Sequence, residues 1–147
     1  DVPVLDIPAG PGKTTLTKGE IVTSILLPAR PARSGDAYLR FIPRTEMDIA
    51  VVGVAVNLRL DGKKITEARV SLGAVAAKVL LVPSAADVII GTTLDDAALE
   101  ALAAAATDAA TPISDKRGTA AFRKDIVGVL VKRAARIAYE RAKGAAK

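Results

Sequence analysis

The 147-residue chain contains no cysteine and no histidine. Their absence excludes thiol nucleophiles, iron–sulfur ligation by this chain, the usual zinc sites and any histidine-based catalytic triad. It leaves the redox compartment open, although a chain without disulfides fits a cytoplasmic setting. Aromatics are scarce, with two Phe, two Tyr and no Trp, whereas half of all residues are apolar. The core must therefore be aliphatic and rich in alanine. Long hydrophobic runs are missing too. The longest, Ile49 to Val56, is far too short to cross a bilayer. The first residues, Asp1-Val-Pro, lack the basic-then-apolar order of a secretory leader.

What is present suits one domain, with room for a fragment of a second. The net charge of +5 is uneven. Residues 1–115 carry 11 basic and 14 acidic groups, and residues 116–147 carry 10 and 2. The basic character thus belongs to the C-terminal segment.

The most ordered pattern runs from Arg44 to Leu60. It opens on three ionisable groups, Arg44, Glu46 and Asp48, and continues into a strand. Val52, Val54, Val56, Leu58 and Leu60 alternate with Gly53, Ala55, Asn57 and Arg59, so one face belongs in a core. The other face is nearly bare at Gly53 and Ala55, where another group can approach the backbone.

Before this stretch, residues 1–19 hold three prolines and three glycines and read as extended chain and loop. Gly10-Pro-Gly-Lys-Thr-Thr15 resembles the end of a phosphate loop. The full motif needs a glycine five positions before Gly12, where Ile7 stands, and Pro11 removes a backbone donor. An ordinary turn is the better reading. Thr17 to Leu27 reads as a strand ended by Pro28, Ala29 to Gly35 as a loop, and Asp36 to Arg44 as a second strand. Asp61-Gly62 signals a hairpin, with a returning strand from Lys64 to Val75. To keep the apolar faces of both strands on one side, the spacing favours a three-residue turn, Leu60-Asp61-Gly62, with Gly62 left-handed in a bulge.

Beyond Pro83 the pattern turns helical. Ser84 to Ile90 reads as a short helix capped by Ser84 and stopped at Gly91. Thr93 can cap a second helix, with Asp95 and Asp96 in its first turn, ending by Pro112. A third begins at Gly118 or Thr119, with Phe122, Ile126, Val129, Leu130, Ile137 and Ala138 as its apolar stripe. The expected fold is α+β: a small antiparallel sheet of three to four strands with about three helices packed on one face.

Three places could carry function. Arg44 and Asp48 at the head of the central strand read either as a rim salt bridge, worth under ~1 kcal/mol if exposed, or as a pair facing an anion or cofactor. The basic last helix reads as a solvated face, as a contact for an acidic protein, or as a nucleic-acid surface. Apart from Tyr139 no aromatic is interleaved with its basic residues, so base stacking has no support. Ser114 to Arg123 reads as a loop leading into a helix, with Ser114 or Asp115 accepting from backbone N–H groups.

Four blocks taken in order carry a family resemblance. They are Leu16 to Pro28 (LTKGEIVTSILLP), Arg44 to Leu58 (RTEMDIAVVGVAVNL), Ile65 to Ala76 (ITEARVSLGAVA) and Pro112 to Lys124 (PISDKRGTAAFRK). Together they resemble the C-terminal domain of the flavin-binding medium subunit of carbon monoxide dehydrogenase, and the corresponding part of xanthine dehydrogenase is similar. The resemblance covers about residues 16–143. It implies a molybdenum hydroxylase, an oxidoreductase whose large subunit holds the molybdenum cofactor. Its small subunit holds the iron–sulfur clusters that pass electrons to FAD on the medium subunit. It further implies that Arg44 and Asp48 lie in the block nearest the flavin, with Leu58 approaching from its other end. Residues 1–28 then read as the tail end of a FAD-binding domain and 29–147 as the C-terminal domain.

The family's FAD domain carries paired glycines in two phosphate-holding loops. This chain has 11 glycines and no Gly-Gly. It is expected to bind FAD weakly or not at all by itself, to be inactive alone, and to need the missing FAD-binding half as well as the large and small subunits. A non-catalytic assembly module is the alternative.

Overall fold

The computed structural model describes residues 1–45 and 48–144. Glu46, one of the three ionisable groups above, lies outside the described residues. The principal sheet has four antiparallel strands in the order β3 (Ser34–Phe41), β4 (Val52–Asp61), β5 (Lys64–Gly73), β6 (Leu80–Leu81). A separate two-stranded hairpin, β1 (Pro8–Gly10) with β2 (Lys13–Thr14), precedes it. Helices α1 (Pro83–Asp87), α2 (Asp96–Ala109) and α3 (Ala120–Ala142) follow in sequence. The α+β architecture is as expected.

The alternation in β4 is realised: Val52, Val54, Val56, Leu58 and Leu60 are all buried. They meet Val70 and Leu72 of β5, Ile89 after α1, Leu99 and Leu102 of α2, and Val127 and Val131 of α3 in one aliphatic core. Each fully buried side chain of this kind is worth roughly 1.5–3 kcal/mol relative to exposure. On the outer face Tyr38 covers Gly53; a Cβ added to Gly53 would lie 3.0 Å from the Tyr38 hydroxyl oxygen.

The β4–β5 connection differs from the expected three-residue turn. Asp61 pairs with Lys64 around a two-residue turn, with Gly62 left-handed at φ +57°. The extra residue sits one step further in. Leu60 faces Ile65 whereas Arg59 faces Glu67, so Thr66 is bulged. Face agreement is kept by that bulge in the returning strand rather than by the turn.

Thr17 to Leu27, read as a strand, has no ladder. A strand needs a partner edge to satisfy its backbone, and among the described residues no strand pairs with it. Ile21, Val22, Ile25, Leu26 and Leu27 remain exposed. The GPGKTT stretch closes the β1–β2 hairpin around Pro11 and Gly12.

Helix ends also shift. Val82, with Pro83 as first helical residue, precedes α1, and no side chain caps it. Asp95 caps α2, its Oδ1 accepting from the Ala98 N–H at 2.9 Å, a task assigned above to Thr93. Thr119 caps α3 by accepting from the Phe122 N–H at 3.1 Å. The buried face of α3 is rotated from the expected stripe. Arg123, Val127, Leu130, Val131, Ala134, Ala135 and Ala138 are buried, whereas Phe122, Val129 and Ile137 are exposed. Small residues face inward because α3 crosses β3 backbone to backbone at Gly35. A Cβ there would overlap the Ala138 carbonyl oxygen and lie 2.6 Å from the Ala142 nitrogen.

Candidate functional site

At one end of the sheet the β3–β4 loop meets the loop that leads into α3. The chain turns out of β3 at Phe41 and re-enters the sheet at Val52, and the Val51 N–H donates to the Phe41 carbonyl at 2.9 Å. Phe41 packs edge-on against Phe122, ring centroids 6.1 Å apart. The loop between is therefore held at its base against the first turn of α3.

Within that loop Arg44 Nε donates to Asp48 Oδ2 at 3.3 Å, and the Ile49 N–H donates to Asp48 Oδ1 at 2.8 Å. Arg117 Nε approaches Asp48 Oδ1 at 3.5 Å from the facing loop. The Asp48 side chain is only 4% exposed, while Arg44 is 73% exposed. Burial pushes the Asp48 carboxyl upward, but the Ile49 N–H, Arg44 and Arg117 outweigh it and hold the group below its usual value. Asp48 is thus an anchor that stays ionised and leaves the Arg44 guanidinium displayed. Ile49, beside it, is 64% exposed. Leu58, named with this pair from the resemblance, is elsewhere: it has no exposed surface and points into the core between sheet and helices. Its side chain cannot line a surface site, because its even position in β4 places it on the helix-facing side.

Behind the pair lies a second anchor that the sequence reading missed. Arg123 is 96% buried, with 4% of its side chain exposed. Its Nη2 donates to Asp115 Oδ1 at 2.8 Å, and its Nη1 to the carbonyls of Val51 at 2.8 Å and Ala74 at 3.2 Å. Ala74 adopts a left-handed φ of +63°, a conformation that costs on the order of 1–3 kcal/mol for a non-glycine residue. Arg123 therefore ties β4, the end of β5 and the α3 loop together. Asp115 also accepts from the Arg117 N–H at 2.8 Å, and Ser114 Oγ from the Ala120 N–H at 2.9 Å. These backbone contacts agree with the loop reading. The Arg117 N–H, then Arg123, keep the Asp115 carboxyl below its ordinary range. One signal for Arg123 was available: it stands four residues before Val127 and seven before Leu130, on the buried stripe.

Part of the basic C-terminal helix is engaged within the fold. Lys132 pairs with Glu100 at 2.8 Å, Arg136 reaches Asp96 at 3.6 Å, and Arg141 donates to the Asp36 carbonyl at 2.6 Å. Glu100 and Asp96 thus offset part of this helix's charge, Arg141 serves a backbone carbonyl, and no ion pair of Arg133 is found among the described residues. No group of three or more potential metal ligands is found among the described residues, nor is any helix there long and apolar enough to cross a membrane.

The fold, the loop pair and the interior arginine define an α+β domain matched by the family model for the CO dehydrogenase flavoprotein C-terminal domain, over residues 37–138. The chain belongs to this family, which includes the medium, FAD-binding subunits of CO dehydrogenase and xanthine dehydrogenase, flavoprotein parts of oxidoreductases. It is 37% identical over 130 residues to the carbon monoxide dehydrogenase medium chain of Afipia carboxidovorans, covering 88% of this chain and 45% of that protein. It is 34% identical to the nicotine 6-hydroxylase medium subunit of Paenarthrobacter nicotinovorans, covering 87% and 44%. The structure superposes on the reconstituted CO dehydrogenase of Oligotropha carboxidovorans with a TM-score of 0.87 at 34% identity, over 92% of this chain and 47% of that one. The chain thus spans about half the length of the relatives it matches.

Proposed function

We propose that this chain is the C-terminal part of a FAD-binding medium subunit of a molybdenum hydroxylase-type oxidoreductase, in which the β3–β4 loop closes over one side of the flavin. The supporting observation is the displayed Arg44, braced by a covered Asp48 beside an open Ile49. A planar, partly apolar ring with developing negative charge suits that combination of cation and aliphatic surface. The described residues fit one edge of such a cofactor and not its pyrophosphate. The chain has no Gly-Gly, and the phosphate-loop-like stretch forms a strand-to-strand hairpin instead of heading a helix. Phosphate binding falls to a FAD-binding half with residues 1–28 as its last stretch, and the exposed aliphatics from Ile21 to Leu27 would be covered there.

When bound, FAD supplies a carrier that takes electrons from one-electron iron–sulfur donors and delivers them to a final acceptor. The chain's own part is positioning and electrostatics. Arg44 carries a charge that does not titrate in the working range and favours a reduced, anionic ring. Asp48 fixes its direction, and Arg117, Asp115 and Arg123 fix Asp48's loop to the domain. Molybdenum cofactor and iron–sulfur clusters belong to the large and small partner subunits in this reading, and no residue here acts as nucleophile or general base.

Supplying the FAD-binding half in trans tests the proposal. The reconstituted pair should retain stoichiometric flavin, and the 147-residue chain alone should retain none. Stoichiometric flavin on the chain alone, or none on the pair, would contradict it.

A further inference from the structure

On the opposite edge of the sheet from β6, strand β3 has no neighbour beyond β4 among the described residues. Its ladder to β4 uses the odd residues. The Arg33 carbonyl accepts from Leu60 and the Phe41 carbonyl from Val51, both at 2.9 Å. Backbone groups of the even residues therefore point outward. Asp36 satisfies its outward carbonyl with Arg141 Nη1 at 2.6 Å. The outward N–H and C=O groups of Tyr38 and Arg40 have no strand to pair with among the described residues.

Alongside this open edge runs a groove of about 530 Å³ between β3 and α3. It is lined by the apolar Leu39, Phe41, Leu130 and Ile137 and by Arg133 and Arg136 of α3; Arg40 also borders it, from an even position of β3 that belongs to the outer face. Phe41 and Ile137 are each 36% exposed, although both sit next to a core that could have covered them. Among the described residues no carboxylate lines the groove. Arg136 has a long contact to Asp96, and no ion pair of Arg40 or Arg133 is found among the described residues.

We propose that the β3 edge and this groove form a docking site for an extended, acidic–apolar segment of a partner protein, which adds to the sheet as a fifth strand. The open backbone groups of Tyr38 and Arg40 would supply the ladder. Alternate side chains of the added strand would fall on Phe41 and Ile137, and its carboxylates on that face would reach Arg133 and Arg136. Charge decides between occupants. A second copy of this chain would bring the same arginines against one another, and like charges at an interface oppose pairing. Arginine on an edge strand is also how a protein discourages uncontrolled strand addition. That device selects for an acidic partner and leaves the apolar floor unexplained unless something covers it. The groove adjoins the base of the β3–β4 loop at Phe41 but includes neither Arg44 nor Asp48, and the proposal does not rest on the flavin reading.

The test uses the 147-residue chain and a capped ten-residue peptide of alternating glutamate and valine. Its counterparts are an alternating lysine–valine peptide and decanoate. Saturable binding of the glutamate peptide is expected, with slowed amide exchange at Tyr38 and Arg40. In R133E the affinity should fall at least about tenfold, with the circular dichroism spectrum unchanged. Should R133E be poorly folded, Arg133→Gln serves in its place, with a smaller loss in the same direction. Equal binding of the lysine peptide, binding without protection at Tyr38 and Arg40, binding of decanoate alone, or no binding at millimolar peptide would each overturn the proposal.

Discussion

Between Val52 and Leu60 the chain carries five bulky aliphatic residues at alternate positions and buries all of them; between Ile21 and Leu27 it carries five aliphatic residues and buries none. Both stretches have strand-forming composition. The first lies between two neighbours, β3 and β5, and under three helices. The second has no edge beside it. An apolar pattern states that a face wants covering, and only the topology states what covers it. The packed region accounts for its own stability, whereas the aliphatic surface of residues 21–27 is accounted for by a partner half in the reading proposed above.

Substitutions sharpen this contrast, beginning with the largest expected effect. Gly35→Val places side-chain atoms inside the α3 backbone at Ala138 and Ala142. A loss of more than about 4 kcal/mol is expected, enough to prevent folding, as read by chemical denaturation. Leu58→Ala should cost about 3 kcal/mol, since the side chain is fully buried. Arg123→Met keeps much of the volume but strands the Val51 and Ala74 carbonyls and removes the partner of Asp115. A loss of about 2–3 kcal/mol follows. Leu26→Ala, at a residue 89% exposed, should change the stability of this chain by less than about 0.5 kcal/mol. The same change should weaken association with a FAD-binding half. Equal costs for Leu26→Ala and Leu58→Ala would erase the distinction between the two regions.

Acid provides a finer probe. Asp48 and Asp115 both have carboxyls held below the ordinary value of 3.8 in the folded chain. The unfolded chain therefore binds more protons as pH drops toward and below that value. The stability these groups contribute is present above it and is lost as pH falls through their folded values. Denaturation midpoints should accordingly fall on acidification below about pH 4. In Asp115→Asn that fall should be shallower, and an unchanged acid profile would show that Asp115 has no net role.

The fold class and the core of β4 were legible in the sequence because alternation with period two is a local signal. So was the family, through four blocks in order. What escaped depended on distance along the chain. Arg123 meets Val51 and Ala74 across 72 and 49 residues, and no local pattern announces such a contact. The buried stripe of α3 was misplaced because bulky Phe122, Val129 and Ile137 outweighed alanine in the reading, whereas the close crossing at Gly35 demands alanine. Leu58 was carried over as a surface contact although its parity with Val54 and Val56 already placed it inside. The hairpin bulge at Thr66 preserved the inferred faces while moving the extra residue into the strand.

For the flavin reading the most direct measurement is the reduction potential of the flavin in the assembled complex with Arg44→Glu. Replacing a displayed cation by an anion at the ring should lower the potential by on the order of tens of millivolts. A potential identical to that of the unaltered complex would place Arg44, and the loop that Asp48 braces, away from the cofactor.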